Sequence, residues 1–120
     1  MRLTRQLARQ RIGVDELHAL VEAGSRPVIL DIRAEGYREL DPYLIPGAEF
    51  ADERRLDDIL GKHGPDEKIV IYCACPNEVS AAWLAGQLRE RRYRDVLPLA
   101  GGLDAWRQAG YPVLRLPKAQ

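Results

Sequence analysis

The chain has 120 residues, 46% of them hydrophobic, with eighteen Lys and Arg balancing eighteen Asp and Glu and with two cysteines. That length supports one core and one domain, and the neutral balance gives no electrostatic reason for nucleic acid or an anionic membrane to bind. No apolar run reaches the length that spans a bilayer, so a soluble protein is expected.

The charge is unevenly placed. Arg2, Arg5, Arg9 and Arg11 precede the first acid, Asp15, so the first 14 residues carry +4 and the remainder −4. Residues 1–11 therefore read as a basic N-terminal arm or linker, most simply a solvated one; residues 12–114 are the folded domain and 115–120 a C-terminal tail. The start of the chain is too rich in arginine for a signal peptide. Cys73 and Cys75 are separated by one residue and would close only a small, strained ring, so a reducing, cytoplasmic compartment is expected.

Along the chain, Arg11-Ile12-Gly13 reads as a short opening strand. Val14, Leu17, Leu20 and Val21 then fall at helical spacing, and Gly24 closes that helix. Val28-Ile29-Leu30-Asp31-Ile32 is a nearly continuous apolar run, the mark of a strand covered on both faces. From Ala34 to Gly47 turn formers dominate and an irregular connection is expected. Ala48 to Ala51 reads as a brief strand, and Asp52 to Leu60 as a helix ended by Gly61 and Gly64-Pro65. Lys68-Ile69-Val70-Ile71-Tyr72 is the most apolar strand and runs straight into Cys73. After Pro76 a helix is expected from Asn77 to about Arg92, with Trp83 packed on the sheet. A last strand covers about Asp95 to Leu97, where Pro98 ends or bends it. Ala100-Gly101-Gly102 supplies a turn at the rim, and a short helix over Leu103 to Ala109 carries a second packing residue, Trp106. Short apolar strands alternating with helices imply crossover connections and a mainly parallel α/β sheet with helices on both faces.

In such sheets ligands gather at the carboxyl ends of the strands, where loops converge and helix N-termini present unpaired N–H groups. Cys73 falls at that place. Amides and the positive end of the following helix favour thiolate over thiol, and a turn of inward N–H groups cradles an anion beside it. The plainer reading of Cys73 is a small apolar residue ending a buried strand. The succession of strand, cysteine, tight loop and a helix opening on Ser80-Ala81-Ala82 favours chemistry.

Four segments in this order resemble the rhodanese homology family over about Ile12 to Pro112: Val28 to Arg33, Ile45-Pro46-Gly47-Ala48, Ile69 to Cys73, and Leu99-Ala100-Gly101-Gly102-Leu103-Asp104-Ala105-Trp106 with Gly110-Tyr111-Pro112-Val113. The resemblance implies a three-layer fold with a five-stranded, mainly parallel sheet. It also implies a catalytic Cys73 that carries a sulfane sulfur as a persulfide, with Ala74, Cys75, Pro76, Asn77, Glu78 and Val79 as the substrate-binding loop. The donor would be thiosulfate, a small sulfur-containing anion, or a persulfide; the acceptor would be a thiol or cyanide. No cofactor or metal is implied, and His18 and His63 are not at a recognised zinc spacing with the cysteines.

The loop departs from the family pattern in two ways. Members typically carry an arginine five residues after the nucleophile, with a glycine between, whereas Pro76 removes a backbone donor and Glu78 brings negative charge. Weak thiosulfate binding is expected, and the plainer reading, Asn77 as helix cap and Glu78 as a first-turn acid, holds beside it, since a side chain pointing away from the pocket can serve the helix without spoiling the anion site. Cys75 is the second departure, either a resolving thiol or an inert loop residue. Cys-x-Cys-Pro-Asn-Glu is similar to rhodanese modules attached to bacterial membrane proteins, which would make residues 1–11 a linker from a cytoplasmic membrane end. Asp31 and Arg33 fall on the rim of Cys73, supporting the loop from behind or simply forming a salt bridge. Tyr37, Arg38 and Tyr43 are candidates to wall the pocket, with Arg38 able to replace the missing positive charge. A non-catalytic binding or redox-sensing module is the alternative. A cysteine phosphatase is excluded because the next arginine after Cys73 is Arg89, where phosphate could not be gripped.

Overall fold

The computed structural model describes residues 10–74 and 78–117. Within them the elements are α1 (Val14–Glu22), β1 (Val28–Asp31), α2 (Glu35–Leu40), β2 (Tyr43–Leu44), β3 (Glu49–Phe50), α3 (Leu56–Lys62), β4 (Lys68–Tyr72), α4 (Val79–Glu90), β5 (Asp95–Pro98), α5 (Gly102–Gln108) and β6 (Leu114–Arg115). The main sheet is parallel in the order β3-β1-β4-β5.

Helices cover both faces of this sheet, which explains why β1 and β4 are apolar at consecutive rather than alternate positions. Leu30, Ile69 and Ile71 face one layer, where they meet Ile59 of α3 and Ala81, Leu84, Ala85 and Leu88 of α4. Ile29, Val70 and Tyr72 face the other, against Leu17 of α1 and Leu103 and Trp106 of α5. The architecture is the expected three-layer α/β one, with a mainly parallel sheet.

Among the described residues the fifth strand is a single rung. Ile12 makes an isolated parallel bridge to Leu99: its N–H donates to the Pro98 carbonyl at 2.9 Å, and its carbonyl accepts from Ala100 N–H at 2.8 Å. Because α1 begins at Val14, the strand cannot lengthen beyond Gly13 at its carboxyl end. Pro98 is compatible with β5 because Leu99 N–H is the group that reaches Ile71 in β4, at 2.8 Å. Alternation then turns the proline nitrogen to the other edge, where no ladder donor is lost.

The segment expected to be irregular contains α2 and β2, the latter paired antiparallel with β6. Helix α2 has no buried residue, so it leaves no apolar periodicity to read. Helix α3 starts at Leu56 rather than Asp52. Asp52 instead accepts from Arg54 N–H at 2.9 Å and from its guanidinium at 3.0 Å, a local turn that competes with helix. Those bonds hold the Asp52 carboxyl down at about 2.

Trp83 does not pack on the sheet. The buried stripe of α4 is Ala81, Leu84, Ala85 and Leu88, and the 3.6-residue period turns Trp83 outward to 53% exposure. Trp106 is buried as expected, its indole N–H donating to the Pro112 carbonyl at 2.7 Å.

Candidate active site

Cys73 directly follows β4 at the carboxyl end of the parallel sheet and is half-buried against the α3/α4 core layer. It lines a pocket of about 490 Å³ together with Arg33, Tyr37, Asp41, Ala74, Glu78, Gly101, Gly102, Leu103 and Asp104. The strand ends and the β5–α5 turn therefore enclose the thiol as the fold argument requires. Cys75, Pro76 and Asn77, which complete the expected amide cradle, lie outside the described residues.

Of the two readings of Glu78, the structure keeps the charge at the pocket and not the first-turn helix acid. It is the residue before α4, in the left-handed conformation at φ 55° and ψ 35°, and makes no side-chain cap hydrogen bond. Such a backbone costs a non-glycine residue about 1–2 kcal/mol, and it turns the carboxylate off the helix and into the Cys73 pocket. There Gly101 N–H donates to Oε1 at 2.6 Å, and the Arg11 guanidinium lies 3.2 Å from Oε2. Glu78 thus ties the β4–α4 loop to the β5–α5 turn instead of serving α4 as a first-turn acid. Val79, placed in the loop by the sequence, is the first residue of α4 and is largely exposed outside the pocket.

Two glycines make this junction. Gly101 and Gly102 have φ of 74° and 57°, and a Cβ on Gly102 would start 3.1 Å from the Cys73 carbonyl oxygen. Gly102→Ala is expected to lower stability by about 1–2 kcal/mol from backbone conformation alone. It should also change the rate at which a thiol reagent modifies Cys73. Urea unfolding and timed alkylation would check both, and an unchanged urea midpoint would show that the turn has room for a methyl group.

Asp31 and Arg33 form the buried ion pair that was one of their two readings. Arg33 donates through Nε to Asp31 Oδ1 at 3.0 Å and through Nη2 to Oδ2 at 2.8 Å. The same guanidinium donates to the carbonyls of Asp41 at 3.1 Å and Tyr43 at 2.7 Å. Burial works against its charge and the contacts with Asp31 outweigh that, so its pKa is raised. Arg33 reaches the pocket wall, yet Nε, Nη1 and Nη2 each donate to Asp31, Asp41 or Tyr43. On the other side of Asp31, burial pushes the Tyr72 phenol up, reinforced by the Asp31 carboxylate; Ile45 N–H donates to that phenol oxygen at 3.3 Å.

Of the aromatic and basic candidates between β1 and β3, Tyr37 lines the pocket. Arg38 instead lies 4.0 Å over the Phe50 ring, and Tyr43 pairs with Arg115 through β2 and β6. Arg38 is therefore not the replacement for the family arginine. Sequence reasoning missed Asp41, Asp104 and Arg107. Arg107 donates to both Asp41 oxygens at 2.7 and 2.6 Å and to Asp104 at 2.7 Å. The Arg107 bonds hold the Asp41 carboxyl below its ordinary value. Asp41 and Arg107 are 66 positions apart, so no local pattern could announce the pair.

The rhodanese-like domain model matches residues 13–109. The chain belongs to the rhodanese-like family. Among solved structures it is similar to a Rhodopseudomonas palustris protein of unknown function described as a possible tyrosine phosphatase. That match has 28% identity and a TM-score of 0.73, covering 91% of this chain and 87% of the other. The rhodanese-like domain of an Anabaena protein matches at 23% identity and a TM-score of 0.74, covering 92% of this chain and 86% of that one. A thiosulfate sulfurtransferase from Pseudomonas aeruginosa matches at 24% identity and a TM-score of 0.74, covering 90% of this chain but 20% of the larger protein. At these last identities the likeness is one of fold. No curated protein matches the chain by sequence. Among the described residues of this rhodanese-like chain, no helix is long and apolar enough to cross a membrane.

Proposed function

We propose that the chain is a sulfurtransferase that carries a sulfane sulfur on Cys73. The observation that supports this most is the position of Cys73, half-buried at the carboxyl end of β4 and open to the pocket. The Cys73 thiolate attacks the outer sulfur of a persulfide or thiosulfate, the donor S–S bond breaks, and the donor's inner sulfur leaves with the electron pair as thiolate or sulfite. An acceptor thiolate then attacks the outer sulfur of the Cys73 persulfide and returns Cys73 as thiolate. Ala74 to Glu78 are the proposed substrate loop, with Cys75 able to act as a resolving thiol, and Asp31 and Arg33 hold the rim. The proposed setting is a reducing, cytoplasmic one with small sulfur compounds as partners.

Incubation of the reduced protein with thiosulfate and, separately, with a small-molecule persulfide is expected to add the mass of one sulfur atom, located at Cys73 by peptide fragmentation. Loading should be slower from thiosulfate, because Glu78 stands in the pocket that the dianion must enter. No gain from either donor would reject the sulfurtransferase.

The inward carboxylate of Glu78 also favours a second reading, a binding or redox-sensing module that has kept the scaffold. Such a module would show no sulfur uptake, while reversible oxidation of the Cys73 and Cys75 pair would alter its binding to a partner. The Rhodopseudomonas relative does not extend phosphatase chemistry to this chain, since no arginine follows Cys73 before Arg89, whose guanidinium donates to the Val96 carbonyl at 3.0 Å.

A further inference from the structure

The charges around the pocket decide what can approach Cys73. Among the charged side chains of the described residues that line it, Arg33 is cationic while Asp41, Glu78 and Asp104 are anionic. Arg33 is spent on Asp31, and Asp41 and Asp104 share the guanidinium of Arg107. Glu78 is left as the charge that faces an incoming molecule most directly. Its counterion, Arg11, has a side chain 60% exposed against 11% for Glu78, and Arg11 is not part of the pocket wall. Water therefore screens the guanidinium far more than the carboxylate, so Glu78 acts on an incoming molecule more strongly than its counterion does. The carboxylate is also fixed, since Gly101 N–H holds one oxygen at 2.6 Å.

We infer that Glu78 is a specificity-determining residue that selects sulfur compounds carrying an ammonium group near the reacting sulfur, such as aminothiols and their persulfides, over anionic ones. The inference rests on Cys73 being the reacting atom proposed above. Cys73 and Glu78 line the same pocket, so an ammonium close to the sulfur is attracted by the carboxylate as the sulfur approaches Cys73. A carboxylate or sulfonate in the same position is repelled. The departure of Glu78 from the family arginine thus inverts the charge preference of the site and leaves the nucleophile in place.

The test uses thiol–disulfide exchange, which needs no sulfane chemistry. The Cys73 thiolate attacks one sulfur of a symmetrical disulfide, forms a mixed disulfide and releases one thiolate; the thiolate fraction and nucleophilicity of Cys73 cancel in the ratio of two probes, which therefore reads how each gains access to Cys73. The probes are cystamine, with two ammonium groups, and dithiodipropionate, with two carboxylates. Rates are normalised to those of each probe with a free thiol, and tandem mass spectrometry places the adduct on Cys73. The wild-type protein is expected to favour cystamine by about tenfold or more. Glu78→Gln should bring the ratio to near unity, and Arg11→Ala, an exposed change that leaves the carboxylate in place, should widen it. A wild-type preference for the dianion, or a ratio unaltered in both variants, would overturn the inference. If cystamine is preferred while no sulfane donor loads Cys73, the selectivity stands and the sulfurtransferase fails. Sulfur loading without charge discrimination is the converse.

Discussion

Cys73→Ala is expected to abolish sulfur uptake and to lower any transfer rate by roughly 10⁴-fold or more, because a covalent carrier has no substitute when its nucleophile is removed. The fold should survive. Cys73 is half-buried at the edge of the α3/α4 core, and losing one buried group of methylene size costs about 0.8 kcal/mol. Circular dichroism and urea unfolding should therefore resemble the wild type while mass spectrometry finds no added sulfur. Cys75→Ser separates the neighbouring thiol. Retained loading with slowed discharge identifies Cys75 as a relay, retained loading and discharge as a bystander. Substantial transfer by Cys73→Ala would move the nucleophile to Cys75 and end the assignment made here.

The largest expected stability loss lies behind the pocket. Arg33→Met should cost about 3–5 kcal/mol, since it leaves the Asp31 carboxylate, 0% exposed, without its guanidinium. The loss also strips the Asp41 and Tyr43 carbonyls of their donor, and it is a large share of the roughly 5–15 kcal/mol that stabilises a typical domain. Arg33→Lys should recover only part, because a single ammonium cannot reproduce the fork that reaches Asp31 and two carbonyls together. The double variant Asp31→Leu with Arg33→Met should be milder than Arg33→Met alone, since no unpaired buried charge remains. Urea midpoints for the four proteins check this, and a loss below about 1 kcal/mol for Arg33→Met would show that Asp31 finds other compensation.

The same ion pair shows where sequence reading stops. Strands β1 and β4 were legible because burial on both faces leaves consecutive apolar residues, and α1 because one buried stripe leaves a period. Helix α2 leaves neither sign. Its place is set by Arg33, which donates across to the Asp41 and Tyr43 carbonyls at either side of the α2–β2 junction. That is a tertiary cause acting on a segment full of turn formers. Trp83 was misplaced for a different reason: a large apolar side chain was assumed to follow the packing side, whereas the small residues Ala81 and Ala85 mark the face of α4 that approaches the sheet.

At the site, the location of Cys73 was legible from the strand that leads into it. The direction of Glu78 was not. A helix start can place an acid in its first turn or just before it, and the two positions send the side chain opposite ways. The left-handed backbone at Glu78 and the waiting N–H of Gly101 decide between them, and that donor stands 23 residues away. Sequence can name the two partners but not their meeting.

The borders of the main sheet bear on how the protein behaves when crowded. On one side β3 offers only Glu49 and Phe50; on the other, Pro98 brings no N–H and Ile12 occupies the groups beside it. Among the described residues, neither border presents a run of unpaired amides long enough to recruit a strand from another molecule. The rung at Ile12 thus helps to cover this border against edge-to-edge pairing, and because the Ile12 side chain is buried in the core, a charged change there would loosen the rung by destabilising the fold that holds it.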